Sequence, residues 1–188
     1  FEPPTVVIGA QTWTSENVTV VHFRNGDPIP LIEDEAAWEK AGKAGEPACS
    51  IMFNDPEKKG EFGLFYNHFA VSDPRGLAPE GWRVPTVADY EVLGAHLGGM
   101  KTAGKALKRT ADWKESPAPN PSGWDAIPTG CRLDDGDFFE SPWNGYWWTT
   151  DKRDTGRPIA LAMSYDDPDM TMVSHNLADG FSVRLVKE

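Results

Sequence analysis

The chain has 188 residues and a formal net charge of −11. That length suits one domain with a real core, and that charge argues against nucleic-acid phosphate as the main partner, which needs clustered Lys and Arg. No apolar run approaches the roughly 20 residues of a membrane span, while eight Trp, eighteen Gly and sixteen Pro describe a loop-rich chain held down by large aromatics.

The opening Phe1-Glu2-Pro3-Pro4 reads as a linker remnant over residues 1–5 of a mature or trimmed fragment. The lack of a signal peptide is therefore no argument for the cytosol. Val6-Val7-Ile8-Gly9 followed by Gln11-Thr12-Trp13 predicts a first strand with a Gly break, and Val18 to Phe23 a second strand or an extended arm. Asn25-Gly26, Pro28 and Pro30 mark turns. Glu33 to Lys43 predicts a short helix capped by Asp34. After the apolar run Ala48 to Phe53, the stripe Leu64, Phe65, Phe69 and Ala70 predicts a helix from Phe62 to Val71. A second helix begins after Thr86, with Asp89 as the short acidic partner of a capping box, and Gly98-Gly99 ends it. Lys101 to Lys114 is basic and continues as a broken helix or a loop, and turn residues dominate from Pro117 to Trp124.

Short strands follow around Ile127, at Phe138-Phe139, from Tyr146 to Thr150, from Pro158 to Tyr165, from Met170 to Ser174 and from Phe181 to Val186. In Gly145-Tyr146-Trp147-Trp148-Thr149-Thr150, successive rings must point to opposite sides, so one can enter a core while its neighbour faces away. In the tail, Phe181, Val183 and Leu185 share one side, and Ser182, Arg184 and Lys187 mostly do not.

Residues suited to catalysis are sparse. Cys49 and Cys131 allow one disulfide or two buried thiols, and spacing does not decide between them. His22, His68, His96 and His175 have no metal-ligand spacing, and neither a nucleophile elbow nor a phosphate loop is present. Asp134-Asp135-Gly136-Asp137 with Glu140, and Asp166-Asp167-Pro168-Asp169, gather hard oxygen atoms that calcium prefers, although turn formation alone explains Asp there. The expectation is a protein that is not an enzyme and has no cofactor, calcium being the one candidate.

Six segments occur in order: Ile8-Gly9-Ala10-Gln11-Thr12-Trp13 with Glu16-Asn17, Gly63-Leu64-Phe65-Tyr66-Asn67, Pro79-Glu80-Gly81-Trp82-Arg83-Val84-Pro85-Thr86, Gly123-Trp124-Asp125-Ala126-Ile127-Pro128, Gly145 to Thr150, and Gly180-Phe181-Ser182-Val183-Arg184. Together they resemble the Fibrobacter succinogenes major paralogous domain, found in bacterial surface and secreted proteins. The resemblance runs from about Val6 onward. It implies an α+β, C-type-lectin-like fold related to formylglycine-generating enzymes, with paired N- and C-terminal strands, two helices flanking small antiparallel sheets, and long loops at one end. Phe65-Tyr66-Asn67 would sit on the first helix, and the Trp147-Trp148 strand in a small second sheet. Formylglycine-generating activity is not supported, because Cys131 stands alone and the tail has Leu185 in place of a Cys.

What remains is a binding face on an extracellular or cell-surface domain, a lipoprotein for instance. From Trp143 to Asn176 the chain departs most from the family pattern. Ile159, Leu161 and Met163 would face the core, leaving a flat outer face at Ala160, Ala162 and Ser164. The expected ligand-binding residues are Trp143, Asn144, Tyr146, Trp148, Ser164, Tyr165, Asp166, Asp167, Met172, Ser174, His175 and Asn176, a mix of aromatic anchors and short polar groups like that of a paratope. The expected partner is a protein or glycan on another cell or surface. Diversification of this segment by a retroelement would account for an off-pattern stretch in a family-like frame. The competing expectations are a formylglycine-generating-type enzyme and a structural module of a pilus or surface layer.

Overall fold

The computed structural model describes residues 2–109, 112–113 and 122–188. In chain order its elements are β1 (Thr5–Ile8), β2 (Gln11–Thr14), α1 (Glu35–Ala44), β3 (Cys49–Ile51), α2 (Lys58–Phe62), β4 (Leu64–Asn67), α3 (His68–Val71), β5 (Trp82–Arg83), α4 (Val87–His96), α5 (Met100–Leu107), β6 (Cys131–Arg132), β7 (Phe138–Phe139), β8 (Asn144–Lys152), β9 (Pro158–Ser164), β10 (Thr171–Ser174), β11 (Gly180–Phe181) and β12 (Val186–Lys187). This is an α+β architecture of antiparallel sheets, with five helices among the described residues rather than two. None of them is long and apolar enough to cross a membrane.

Three sheets form, in the orders β1-β2-β12-β5, β10-β9-β8 and β3-β4-β11-β6-β7. The chain's opening is a hairpin closed at Gly9, whose φ of 61° suits a residue without a Cβ. Val6 thus lies opposite Trp13, and the strand expected to be merely interrupted is two. The expected terminal pairing is present: Val186 lies opposite both Trp13 and Arg83.

Two helix starts form as their sequences require. The Asp34 side chain accepts from Ala37 N at 2.8 Å and caps α1. Thr86 and Asp89 form a reciprocal capping box on α4, which buries Tyr90 and Leu93. The expected helix from Phe62 to Val71 is instead β4 followed by the single turn α3. All four residues of β4, including Phe65, Tyr66 and Asn67, are buried. A strand covered on both faces shows no alternation, so its apolar run mimics a helical stripe. Residues 18–23 form no strand of a sheet; Val18 bonds Val183 and Leu64 through its backbone while the arm runs between them. The strand expected around Ile127 is a loop, with one bridge from Ala126 to Lys108. The turn-rich stretch expected from Pro117 lies outside the described residues as far as residue 121.

β8 divides the core. Trp147 packs with Trp13, Tyr90, Trp124 and Leu161 on one side, and Trp148 packs with Tyr66, Val183 and Phe181 on the other. Both rings are fully buried, so neither faces away from the protein. The tail is equally enclosed. Residues 182–185 leave one sheet and enter another, bonding Trp148, Val18 and Thr14 on the way. The polar members of its alternation therefore do not face solvent: Ser182 and Arg184 are fully buried. Arg184 donates to the carbonyls of Thr14, Trp124 and Asp125 and lies 4.4 Å from the Trp124 ring.

Candidate functional site

Strand register decides which of the expected binding residues share a face. Asn144 lies opposite Ser164, Tyr146 opposite Ala162 and Trp148 opposite Ala160. Thr171 lies opposite Ala162 and Val173 opposite Ala160. Cross-strand partners share a face and successive residues do not. Asn144, Tyr146, Ser164 and Thr171 therefore belong to one face, and Met172 and Ser174 to the other. The twelve expected residues do not form a single surface.

Several are elsewhere for specific reasons. Trp148 is sealed against Phe181 at 4.2 Å between centroids, and its Nε1 donates to Tyr66 O at 2.7 Å. Met172 packs against the Trp147 side of the core, and Ser174 Oγ, on that same face, accepts from Arg153 Nε. Trp143 and Tyr165 extend the β8–β9 ladder and meet edge-on at 5.1 Å, Tyr165 also packing against the Trp147 side. His175 is half-buried, edge-on to Phe181 and Tyr146, with Nδ1 3.2 Å from the Asp179 carboxylate. Asn176 bonds Asp134 and borders a separate depression of about 280 Å³ with Glu39, Lys43, Phe69 and Leu177. Asp166 is exposed and accepts from Ser164 Oγ. The flat outer face is also smaller than expected, because Ala160 is fully buried and only Ala162 and Ser164 stay half-exposed.

Four of the expected residues do converge. Asn144, Tyr146, Ser164 and Asp167 line a groove of about 310 Å³ together with Ala162, Met163, Asp169 and Thr171. Asp169 and Thr171 are additions to the residues that the sequence singles out. The period-two spacing that puts Thr171 opposite Ala162 was the available signal, and it required the β9–β10 register. Tyr146 forms the floor but is itself buried in the core rather than displayed on an exposed face, stacked on Phe181 at 4.9 Å. Its hydroxyl donates to the Glu140 carboxylate, which also accepts from Asn144 Nδ2 at 2.8 Å. Burial, with that carboxylate beside it, pushes the Tyr146 phenol up, so it remains a neutral donor. Glu140 holds this position with φ at 65°, a left-handed backbone uncommon outside Gly.

The turn closing the groove is held from behind. Lys108 Nζ donates to Ser164 O and to Asp167 O, and it sits 4.8 Å from the Trp113 ring. Burial lowers its pKa to about 8, opposed by the Asp167 and Asp166 charges. The acidic turns mainly serve their own backbones: Asp135 accepts from Asp137 N and Asp167 from Asp169 N. Among the described residues no three His, Cys, Asp or Glu side chains converge as a metal site requires.

Cys49 and Cys131 are both free and buried. They stand on β3 and β6, which β4 and β11 separate in the sheet. Burial pushes each thiol up to about 12, which leaves almost no thiolate at neutral pH and hence a poor nucleophile. The groove itself offers hydroxyl, amide and carboxylate groups, whose chemistry is hydrogen bonding.

The family model described as the Fibrobacter succinogenes major domain matches residues 6–187. No curated protein and no solved structure matches the chain.

Proposed function

The chain belongs to the Fibrobacter succinogenes major domain family, and on that premise we propose that it is a non-catalytic, surface-displayed domain that binds a polar ligand in the Tyr146 groove. The observation that carries this reading is the convergence of Asn144, Tyr146, Ser164, Asp167, Asp169 and Thr171 on one recessed face. Glu140 adds to it. A residue held in unfavourable backbone to orient two groove side chains is the kind of local cost that accumulates at functional sites.

The lining suits a ligand rich in hydrogen-bond donors, the hydroxyls of a glycan or the polar side chains of a protein loop. Its Tyr, Asn, Ser, Asp and Thr match the composition of adaptable recognition surfaces. A C-type-lectin-like fold and a place on the bacterial surface belong to the same proposal, with the C-terminal strand inserted between β2 and β5 in its support. Retroelement diversification is the finer form of the reading, and a near-identical template repeat near the encoding DNA, differing at adenines, would be its mark. The buried, high-pKa thiols favour binding over formylglycine-type chemistry.

The test is a glycan array run beside a panel of defined surface proteins, with the wild-type chain and with a Tyr146→Phe, Asp167→Asn double variant. Binding by the wild type that the variant loses at unchanged melting temperature supports the groove. Binding that survives the double change moves the site elsewhere. Wild-type silence on both panels would leave the structural-module reading in its place.

A further inference from the structure

β10 is the outer strand of its sheet, paired with β9 on one side and with no other strand among the described residues. His175 N donates to Pro158 O at 3.2 Å. With the unbroken β9–β10 register, residues 171, 173 and 175 therefore bond to β9. Met172 and Ser174 turn their N–H and C=O groups outward. Exposed edges are usually blunted by a charge, a proline, a bulge or a covering element. The start of α5 takes the N–H of Met170, which donates to Met100 O at 2.7 Å, but Thr171-Met172-Val173-Ser174 beyond it carries no charge, proline or bulge. Its two ends differ in charge. Asp166, Asp167 and Asp169 precede it, with the buried Lys108 ammonium bonded to Asp167 O behind them. At the other end Arg153 reaches Ser174 Oγ at 3.1 Å and Arg157 reaches His175 O at 3.3 Å, flanked by Asp154 in their turn and by Asp134 on Asn176.

We propose that the open edge of β10 is a self-association surface, on which two copies of the chain pair their β10 strands antiparallel about a two-fold axis. Such a contact is isologous, each copy using the same patch. Met172 of one copy faces Ser174 of the other, Val173 faces its own counterpart, and about four backbone hydrogen bonds form across the axis. The acidic end of each strand then meets the Arg153–Arg157 end of its partner, which favours antiparallel self-pairing in a chain whose net charge of −11 otherwise opposes association. The axis stands perpendicular to the merged sheet, so the two Tyr146 grooves open on the same side. A strand of this length makes a small contact, hence a weak and reversible dimer.

Sedimentation of the whole chain from about 1 µM to about 1 mM should show a monomer–dimer equilibrium, the range in which weak contacts populate. Arg153→Glu with Arg157→Glu should weaken it at least about tenfold, as should Asp167→Lys with Asp169→Lys, through like charges brought together. An equimolar mixture of these two variants should dimerise again, because each supplies what the other has lost. Met172→Pro removes an outward N–H and should abolish pairing while the melt stays cooperative. A chain that is monomeric throughout, including one that takes up only an extended peptide on this edge, overturns the proposal. So does a dimer indifferent to both charge variants, or a mixture of well-folded variants that fails to associate.

Discussion

Arg184 Nε donates to Asn17 Oδ1 at 2.7 Å, joining residues 167 positions apart in the sequence. The same oxygen accepts from Trp147 Nε1 at 2.8 Å, and Asn17 Nδ2 donates to Phe62 O and Ser182 Oγ. One buried amide thus serves the N-terminal segment, β8 and the tail. Asn17→Ala leaves Arg184 and Trp147 with unmatched buried donors, at about 1–3 kcal/mol each. A loss of about 3 kcal/mol or more in urea unfolding is expected. A loss below about 1 kcal/mol would mean that water or a rearranged Arg184 replaces the amide.

Acid should weaken the fold through His68. Its ring is buried, Nε2 lies 3.0 Å from Thr149 O, and Nδ1 has no partner. Burial lowers its pKa from 6.5 to about 4. Between those values the unfolded chain binds a proton that the folded chain refuses, so stability rises with pH across that window and is lost on acidification. The contribution is up to about 3 kcal/mol. A His68→Phe variant should show a shallower stability slope between pH 6.5 and 4 than the wild type, and equal slopes would contradict this account.

Gly130 is fixed by its surroundings. Its φ is 67°, and a Cβ there would lie 2.1 Å from Phe139 O and 2.6 Å from Ser141 N, both backbone atoms. Gly130→Ala combines a strained conformation with overpacking and should cost about 3 kcal/mol or more. Thermal melts of purified protein measure it.

The two thiols should be silent in the folded protein. With Cys49 and Cys131 buried and pushed up to about 12, iodoacetamide at pH 8 should modify neither within the time needed to alkylate a free thiol. Both should react after denaturation. Mass spectrometry separates the outcomes, and rapid native labelling of Cys131 would reopen a chemical role for it.

Core and groove should respond differently to truncation. Trp148→Ala removes a fully buried ring and should cost about 3–5 kcal/mol, as should Trp147→Ala and Trp82→Ala. Tyr165→Ala, at a half-buried position near the end of the β8–β9 ladder, should cost less than either Trp of β8. His175→Ala is not a silent surface change, because the ring packs against Phe181 and Tyr146. A measurable loss of stability should accompany any loss of binding.

Local chemistry was readable wherever neighbouring residues decide the outcome. Asp34, and Thr86 with Asp89, announce their helices because a cap is made within four residues. Leu64-Phe65-Tyr66-Asn67 reads as a helical stripe because β4 is covered on both sides, and coverage is set by distant parts of the chain. The same limit hid Arg184. An alternating tail suggests a wet polar side, yet here the second side meets Trp124, Thr14 and Asn17. For the groove, the residue types were legible but their grouping was not. Tyr146 and Trp148 share a face, and only the placement of Phe181 and Tyr66 decides that Trp148 is sealed while Tyr146 stays at the floor.

The position of Val186 between β2 and β5 has a consequence for biosynthesis. While a ribosome is still making this domain, the N-terminal hairpin has no inner neighbour and the Trp13 ring has no lid on that flank. Nascent intermediates must therefore wait unlocked until the last residues of the domain emerge, and chaperones that shield aromatic surfaces have that whole interval in which to act.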